Sequence, residues 1–259
     1  MYPPKFDYYR ADSVRQAVAL MKEHDGRFLA GGQSLIPVMN LRLADPGTVI
    51  DIGRIDSLKG IWKRGHVHYI GSLTTHAMVA ASKELPTALS EAASLIGDPQ
   101  VRNRGTVGGN VAHADPASDL PTVLMALRAQ FRMAGPRGER NVQADDSWVG
   151  LFETPLQAHE LLGGFAVCDE RPNTGSAYKK LPNPASRYAM VGAAAQVTID
   201  NGKFRKAGVA VGGLTPQATR ASSVEAALVG NPVSDETIAA AATAVVDDLG
   251  DEVMGVAPY

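Results

Sequence analysis

Two short strings limit what this 259-residue chain can fold into more than any other feature. One is Ala30-Gly31-Gly32-Gln33-Ser34, which follows an apolar, strand-like run. The other is Thr106-Val107-Gly108-Gly109-Asn110. Adjacent glycines admit positive φ and leave no side chain between the backbone and whatever approaches it. Successive exposed backbone N–H groups can then form an anion-binding concavity without a cation. Gln33, Ser34, Thr106 and Asn110 can add side-chain hydrogen bonds. Two such loops meeting would suit a diphosphate. Tight turns between strands would use the same glycines, so the surrounding strings must decide. The competing phosphate and nucleophile motifs are absent: there is no G-x-G-x-x-G, no G-x-x-x-x-G-K-[ST] and no G-x-S-x-G.

The elements around the first string alternate. Val14, Ala17, Val18 and Met21 recur at helical spacing, which predicts a helix over 12–24 with Asp12 or Ser13 as its cap and Gly26 as its stop. FLAGG reads as a strand entering a turn, LIPVMNLRL as the start of a short helix, and 48–53 and 66–72 as strands. Helices are predicted over 75–82, 86–95 and 120–127, and a strand at FRMAG. The stretch 96–121, with four glycines and three prolines in 26 residues, shows no period and reads as a long functional loop. Residues 169–175, DERPNTG, mark the sharpest change in composition. Beyond them 176–181, 191–199 and 207–214 read as strands, Asn201-Gly202 as a hairpin turn, and 222–229 and 235–248 as helices.

Charge and cysteine content exclude several classes. Lys and Arg number 25 against 27 Asp and Glu, a net charge of −2, which argues against a nucleic-acid binder working through a broad positive field. The single cysteine, Cys168, cannot form an internal disulfide or hold an iron–sulfur cluster. His66 and His68 read as surface histidines rather than metal ligands, so no metal site is expected. The polar start MYPPKFDYYR has no apolar core of a signal peptide, and no run approaches a membrane span. The expected location is the cytoplasm, and no catalytic acid–base dyad is apparent.

The longer strings around the two glycine pairs carry a resemblance. FLAGGQSLIPVMNLRLADPGTVIDIGRI, then YIGSLTTHAMV, then IGDPQVRNRGTVGGNVAHADPASDLP, closely resemble the FAD-binding medium subunit of molybdenum hydroxylases, the group of aerobic carbon monoxide dehydrogenase and xanthine dehydrogenase. The likeness runs from Pro4 to about Asp248. It implies an α+β protein: a vanillyl-alcohol-oxidase-like (PCMH-type) FAD-binding domain over 1–172, built of α/β subdomains at about 1–56 and 57–172, and a smaller α+β domain over 173–259. The tail GDEVMGVAPY stops early, so that second domain is expected to be shortened, and LPNPASR replaces a more charged stretch.

Site residues follow from the same resemblance. Ala30, Gly31, Gly32, Gln33, Ser34 and Leu35, with Thr106, Gly108, Gly109 and Asn110, would hold the FAD diphosphate and ribityl chain. Asp119 would accept from the sugar-chain hydroxyls, or cap the helix at Leu120, or both. Ile96 would pack near the adenine, though it also reads as a core residue. Val101 and His76 would lie at the site. The Leu162 backbone would meet the isoalloxazine ring, and Tyr188 would lie over its face. Lys179 or Lys180 would approach its polar edge; adjacent strand residues face opposite ways, and the sequence leaves the choice open.

The implied role is electron transfer. FAD on this chain would receive electrons from a small [2Fe–2S] subunit, fed by a large molybdopterin subunit, and deliver them to an external acceptor. The implied assembly is a dimer of heterotrimers. A stand-alone FAD oxidoreductase is the first alternative, and it would need its own substrate base. A flavin-free scaffold subunit is the second.

Overall fold

The structure, a computed structural model, describes residues 2–250 and residue 253. The terminal decapeptide noted above lies mostly outside the described residues. No helix among them is long and apolar enough to cross a membrane.

The chain begins with β1 (Asp7–Arg10), α1 (Val14–His24), β2 (Arg27–Leu29), α2 (Leu35–Asn40) and β3 (Thr48–Asp51). The strands form a parallel sheet in the order β1-β3-β2. Ser13, not Asp12, caps α1, its hydroxyl accepting from the Gln16 amide at 3.2 Å. Ala17 and Met21, on one helical face, close over Ile50 and Ile52. β1 escaped the sequence reading because DYYR carries no apolar alternation; its middle is a sheet edge, with Tyr8 half exposed.

Next come β4 (Ile61–Arg64) and β5 (Val67–Gly71), then five helices: α3 (His76–Ala81), α4 (Thr87–Leu95), α5 (Pro99–Arg104), α6 (Val107–His113) and α7 (Asp119–Ala126). The strands β6 (Gln130–Gly135), β7 (Gly138–Gln143) and β8 (Leu161–Cys168) follow. The five strands make an antiparallel sheet in the order β4-β5-β8-β6-β7. The stretch 96–121 is therefore not a loop without regular structure. It holds α5, α6 and the start of α7. Helices of six and seven residues are too short to show a 3.6-residue repeat, so their signal lies in their caps. Asp98 accepts from the Val101 amide with Pro99 at the first turn, and Thr106 accepts from the Gly109 amide.

The last part comprises β9 (Thr174–Pro182), β10 (Ala189–Asp200), β11 (Lys203–Gly212), β12 (Thr219–Arg220), α8 (Ser222–Leu228), α9 (Asp235–Thr243) and α10 (Val246–Leu249). Its strands form an antiparallel sheet in the order β12-β11-β10-β9. Asn201 and Gly202, at φ 49° and 72°, make the expected hairpin turn. The predicted single helix over 235–248 is broken into α9 and α10. At the break Ala244 and Val245 bond to carbonyls three residues back, a tighter turn than the α-helix. The break lets Asp248 bind the Ser223 amide and the Ser222 and Ser223 hydroxyls at the start of α8.

Every residue of α7 is buried. A helix that is apolar all round needs cover on all sides. It lies against β10 and β11 of the last sheet and against α4, which also packs on β9. The main core runs through this layer, joining Ile70, Phe131 and Phe165 of the five-stranded sheet to Tyr178, Ala194 and Ala210 of the last. The two neighbouring histidines part company. His66 is exposed beside Asp169, but His68 is wholly buried, against the expectation of two surface residues. His68 shares the inward face of β5 with Ile70.

Candidate functional site

A cleft of about 970 Å³ runs along the junction of these layers, at the upper end of volumes typical of small-molecule sites. The first glycine string forms one wall. The chain leaves β2 at Leu29, turns at Gly32 (φ 77°) and enters α2 at Leu35. Among the described residues, the backbone N–H groups of Ala30 through Leu35 have no hydrogen-bond partner within the protein. Six consecutive amides without partners stand on a loop that lines the cleft, which leaves them available to an anion. A Cβ on Gly31 would overlap the Arg104 carbonyl oxygen, so only glycine lets this loop lie against the start of the second string.

The second string differs from its expected form. It is the first turn of α6, not a loop, and its amides are engaged within the protein. Val107 N–H donates to Thr74 O (3.0 Å), Gly108 N–H to Ser72 O (2.8 Å), Gly109 N–H to Thr106 Oγ1 (3.1 Å) and Asn110 N–H to Thr106 O (3.0 Å). Its glycines serve close packing: a Cβ on Gly108 would overlap Ser72. What this wall offers the cleft is side-chain chemistry. Thr106 keeps a free hydroxyl proton, and Asn110 holds Ser118 Oγ at 3.0 Å through its amide nitrogen. Three residues that line the cleft each carry a buried atom without a partner: Asn110 Oδ1, Ser72 Oγ and His76 Nδ1. An unpaired buried polar atom costs about 1–3 kcal/mol, which a bound polar molecule would offset. Ser72 was not among the residues singled out from sequence, since a serine in a strand-end turn carries no distinguishing signal.

His76 is buried at the start of α3, above the Gly105 backbone. Burial, reinforced by Arg102, pulls its imidazole down from 6.5 to about 4. The unfolded chain therefore binds a proton between pH 6.5 and 4 that the folded chain refuses. The stability held above pH 6.5 falls as pH drops towards 4, by about 3 kcal/mol from this group. Denaturant titrations at pH 7 and pH 4.5 check this: His76→Gln is expected to lose clearly less stability across the interval than the parent chain. Equal losses would place the acid sensitivity elsewhere.

The far end of the cleft is built on α7 and the β9–β10 hairpin. Asp119 is the first residue of α7 rather than its cap; Ser118 occupies the cap position. The Asp119 carboxylate, nearly inaccessible, accepts from Tyr178 Oη at 2.6 Å and Lys180 Nζ at 2.9 Å. Burial raises its pKa, while Lys180 and Tyr178 oppose the rise. Lys180 is thus the inward lysine, its side chain 3% exposed, and Lys179 is exposed on the other face. Tyr178 was missed, although it lies two residues before Lys180 and so shares its face. Tyr188 lines the cleft, half exposed in the hairpin loop; burial, with Asp115 and Asp119 nearby, pushes its hydroxyl up.

Ile96, Val101, Leu35, Leu162 and His76 also line the cleft; neither Lys179 nor Lys180 does. The position of Ile96 bears on its expected role. Lys180 Nζ donates to Leu95 O (3.3 Å), and Arg187 Nη1 to Gly97 O (3.2 Å). Ile96 therefore stands at the same end as Lys180 and Tyr188. An adenine contact by Ile96 and a ring contact by Tyr188 would have to share that end.

Comparison with known proteins places this geometry. The model described as the FAD binding domain in molybdopterin dehydrogenase matches residues 4–167, and that of the CO dehydrogenase flavoprotein C-terminal domain matches residues 176–256. The carbon monoxide dehydrogenase medium chain of Hydrogenophaga pseudoflava is 38% identical over 95% of this chain and 88% of its own length. The 6-hydroxypseudooxynicotine dehydrogenase complex subunit alpha of Paenarthrobacter nicotinovorans is 39% identical, over 96% and 86%. A solved carbon monoxide dehydrogenase from Hydrogenophaga pseudoflava superimposes with a TM-score of 0.90 at 41% identity, covering 94% of this chain and 87% of that one.

Proposed function

This chain belongs to the family of FAD-binding medium subunits of molybdenum hydroxylases, and on that premise we propose that its cleft holds FAD and carries electrons from an iron–sulfur partner to an external acceptor. It is an α+β oxidoreductase subunit, and its relatives are medium chains of multi-subunit dehydrogenases. The observation that carries the reading is the row of six partnerless amides from Ala30 to Leu35, which suits a diphosphate.

The residues present fit the cofactor. The amides of 30–35 would take the diphosphate, with the Thr106 hydroxyl donating from the opposite wall. Asn110, Ser72 and His76 each bring a buried polar atom in need of a partner. Asp119, an acceptor only, suits the hydroxyls of the sugar chain. We place Ile96 at the ring end with Tyr188 and Leu162, because residues 95–97 are bonded to the hairpin that carries Tyr188. Bound FAD supplies chemistry that accepts electrons singly and releases them singly or in pairs. The protein binds and orients it, limits water access through Tyr188, and keeps the Lys180 charge close to Asp119. No side chain is assigned a general acid or base role.

The finer assembly belongs to the same proposal. A large subunit with molybdopterin and a small subunit with two [2Fe–2S] clusters would complete a cytoplasmic dimer of heterotrimers. Residues 1–172 would bind the flavin and 173–259 would close its ring end. The visible spectrum of the chain tests the core of the reading. Oxidised-flavin absorbance, with about one FAD released per chain on denaturation, is expected. Iron–sulfur absorbance should appear only when the chain is purified with its partners. A colourless chain that takes up no added FAD would overturn the electron-transfer role in favour of the scaffold alternative.

A further inference from the structure

Tyr178 has no role in the site as described, yet its hydroxyl reaches it. The residue is 1% exposed and lies on β9 under α4, with its hydroxyl reaching the first residue of α7. Its amide donates to Glu91 Oε2 on α4 at 2.8 Å, which fixes the backbone. Its hydroxyl donates to Asp119 Oδ1 at 2.6 Å, while Lys180 holds Oδ2. On β10 the residue that pairs with Lys180 leaves room for the ring's tip: a Cβ on Gly192 would overlap the Tyr178 hydroxyl. The fold therefore keeps a space for this oxygen and aims it at one carboxylate.

We propose that Tyr178 is a positioning residue for FAD: with Lys180 it clamps both oxygens of Asp119, so that the remaining acceptor sites of the carboxylate point into the cleft. This rests on the reading that the cleft holds FAD. A carboxylate offers about four acceptor sites, and the clamp engages two of them. The two donors differ in kind. Lys180 brings charge. Tyr178 brings a neutral donor that stays protonated, its hydroxyl pushed well above the ordinary value by burial and by Asp119 itself. Without the tyrosine oxygen, Asp119 could swing towards Lys180 and would lose one bond that favours its anion.

The groups around Asp119 are few. β9 presents Tyr178 and Lys180, the hairpin loop Tyr188, the segment before α7 Asp115, and α4 places Glu91 behind Tyr178. Acid that protonates Asp119 would remove its charge and turn a charge-assisted acceptor into a weaker neutral one, so FAD is held more tightly above that pH than below it. Deleting the Tyr178 donor raises the pH of release.

The test is FAD binding by the full chain, followed by flavin fluorescence from pH 8 to pH 4, for the parent, Tyr178→Phe and Asp119→Asn. Tyr178→Phe is expected to bind about tenfold more weakly and to release FAD roughly one pH unit higher. Asp119→Asn is expected to lose the parent's acid step, leaving only release near pH 4, where the chain is destabilised through His76. A merely structural tyrosine would lower thermal stability and leave both affinity and midpoint unchanged; that result overturns the proposal. So does an Asp119→Asn chain that keeps the parent's acid step, a result that needs no folded Tyr178→Phe. A parent chain that binds no FAD overturns the functional reading itself, whereas a parent that binds with an unaltered Tyr178→Phe profile overturns only the clamp.

Discussion

Lys180→Met is expected to lower the stability of the fold by about 3–5 kcal/mol, because it leaves the Asp119 carboxylate buried without its counter-charge. Both side chains are almost inaccessible, at 3% and 5%, so water cannot replace the lost partner. The site also joins two layers: α7 carries Asp119, and β9 carries Lys180. In a chain of this size the thermal midpoint should fall by roughly 10 °C. The control is Asp119→Leu with Lys180→Met. Removing both charges eliminates the stranded ion, so the double variant should be more stable than Lys180→Met alone. A single variant as stable as the parent would show that the pair is hydrated in solution.

The second large effect concerns the cofactor. Gly31→Ala is expected to weaken FAD binding by about 100-fold or more. The new methyl group would overlap the Arg104 carbonyl oxygen, and a backbone atom cannot rotate aside. The loop must move as a whole, which takes several of the amides of residues 30–35 off a common centre. Hydrogen bonds to a charged group contribute about 1.5–3 kcal/mol each, so losing two gives an effect of that size. Equilibrium titration with FAD, supported by flavin content after gel filtration, measures it. Unchanged affinity would mean that the diphosphate does not lie on this loop. Gly108→Ala serves as the contrast. It too meets an overlap, with Ser72, but the amides nearby are engaged within the protein, so its expected cost falls on folding more than on binding.

These contrasts show where the sequence was legible. α1 was readable because eleven residues are enough to display a helical stripe, and Ser13 supplies its cap. The β10–β11 hairpin was readable because Asn-Gly suits two successive residues of positive φ. α5 and α6 were not, since each completes fewer than two turns and reveals itself only through Asp98 and Thr106. The break between α9 and α10 had no sequence mark, because it depends on Asp248 reaching the start of α8.

Within the site, the sequence by itself determined which loops could approach a ligand, because glycine's missing side chain is a local property. The family pattern, too, was written in contiguous strings. Tertiary structure alone decided which glycine string has free amides: those of 30–35 find no partner within the protein, and those of 107–110 meet Thr74, Ser72 and Thr106. It alone decided between Lys179 and Lys180, through the side of β9 that α4 covers and from which Lys180 reaches Asp119. It also brought Tyr178 to Asp119 across 59 positions of sequence. The physical reason is common to all three. A hydrogen bond depends on where two groups lie in space, and residues distant in sequence meet only after the layers have packed.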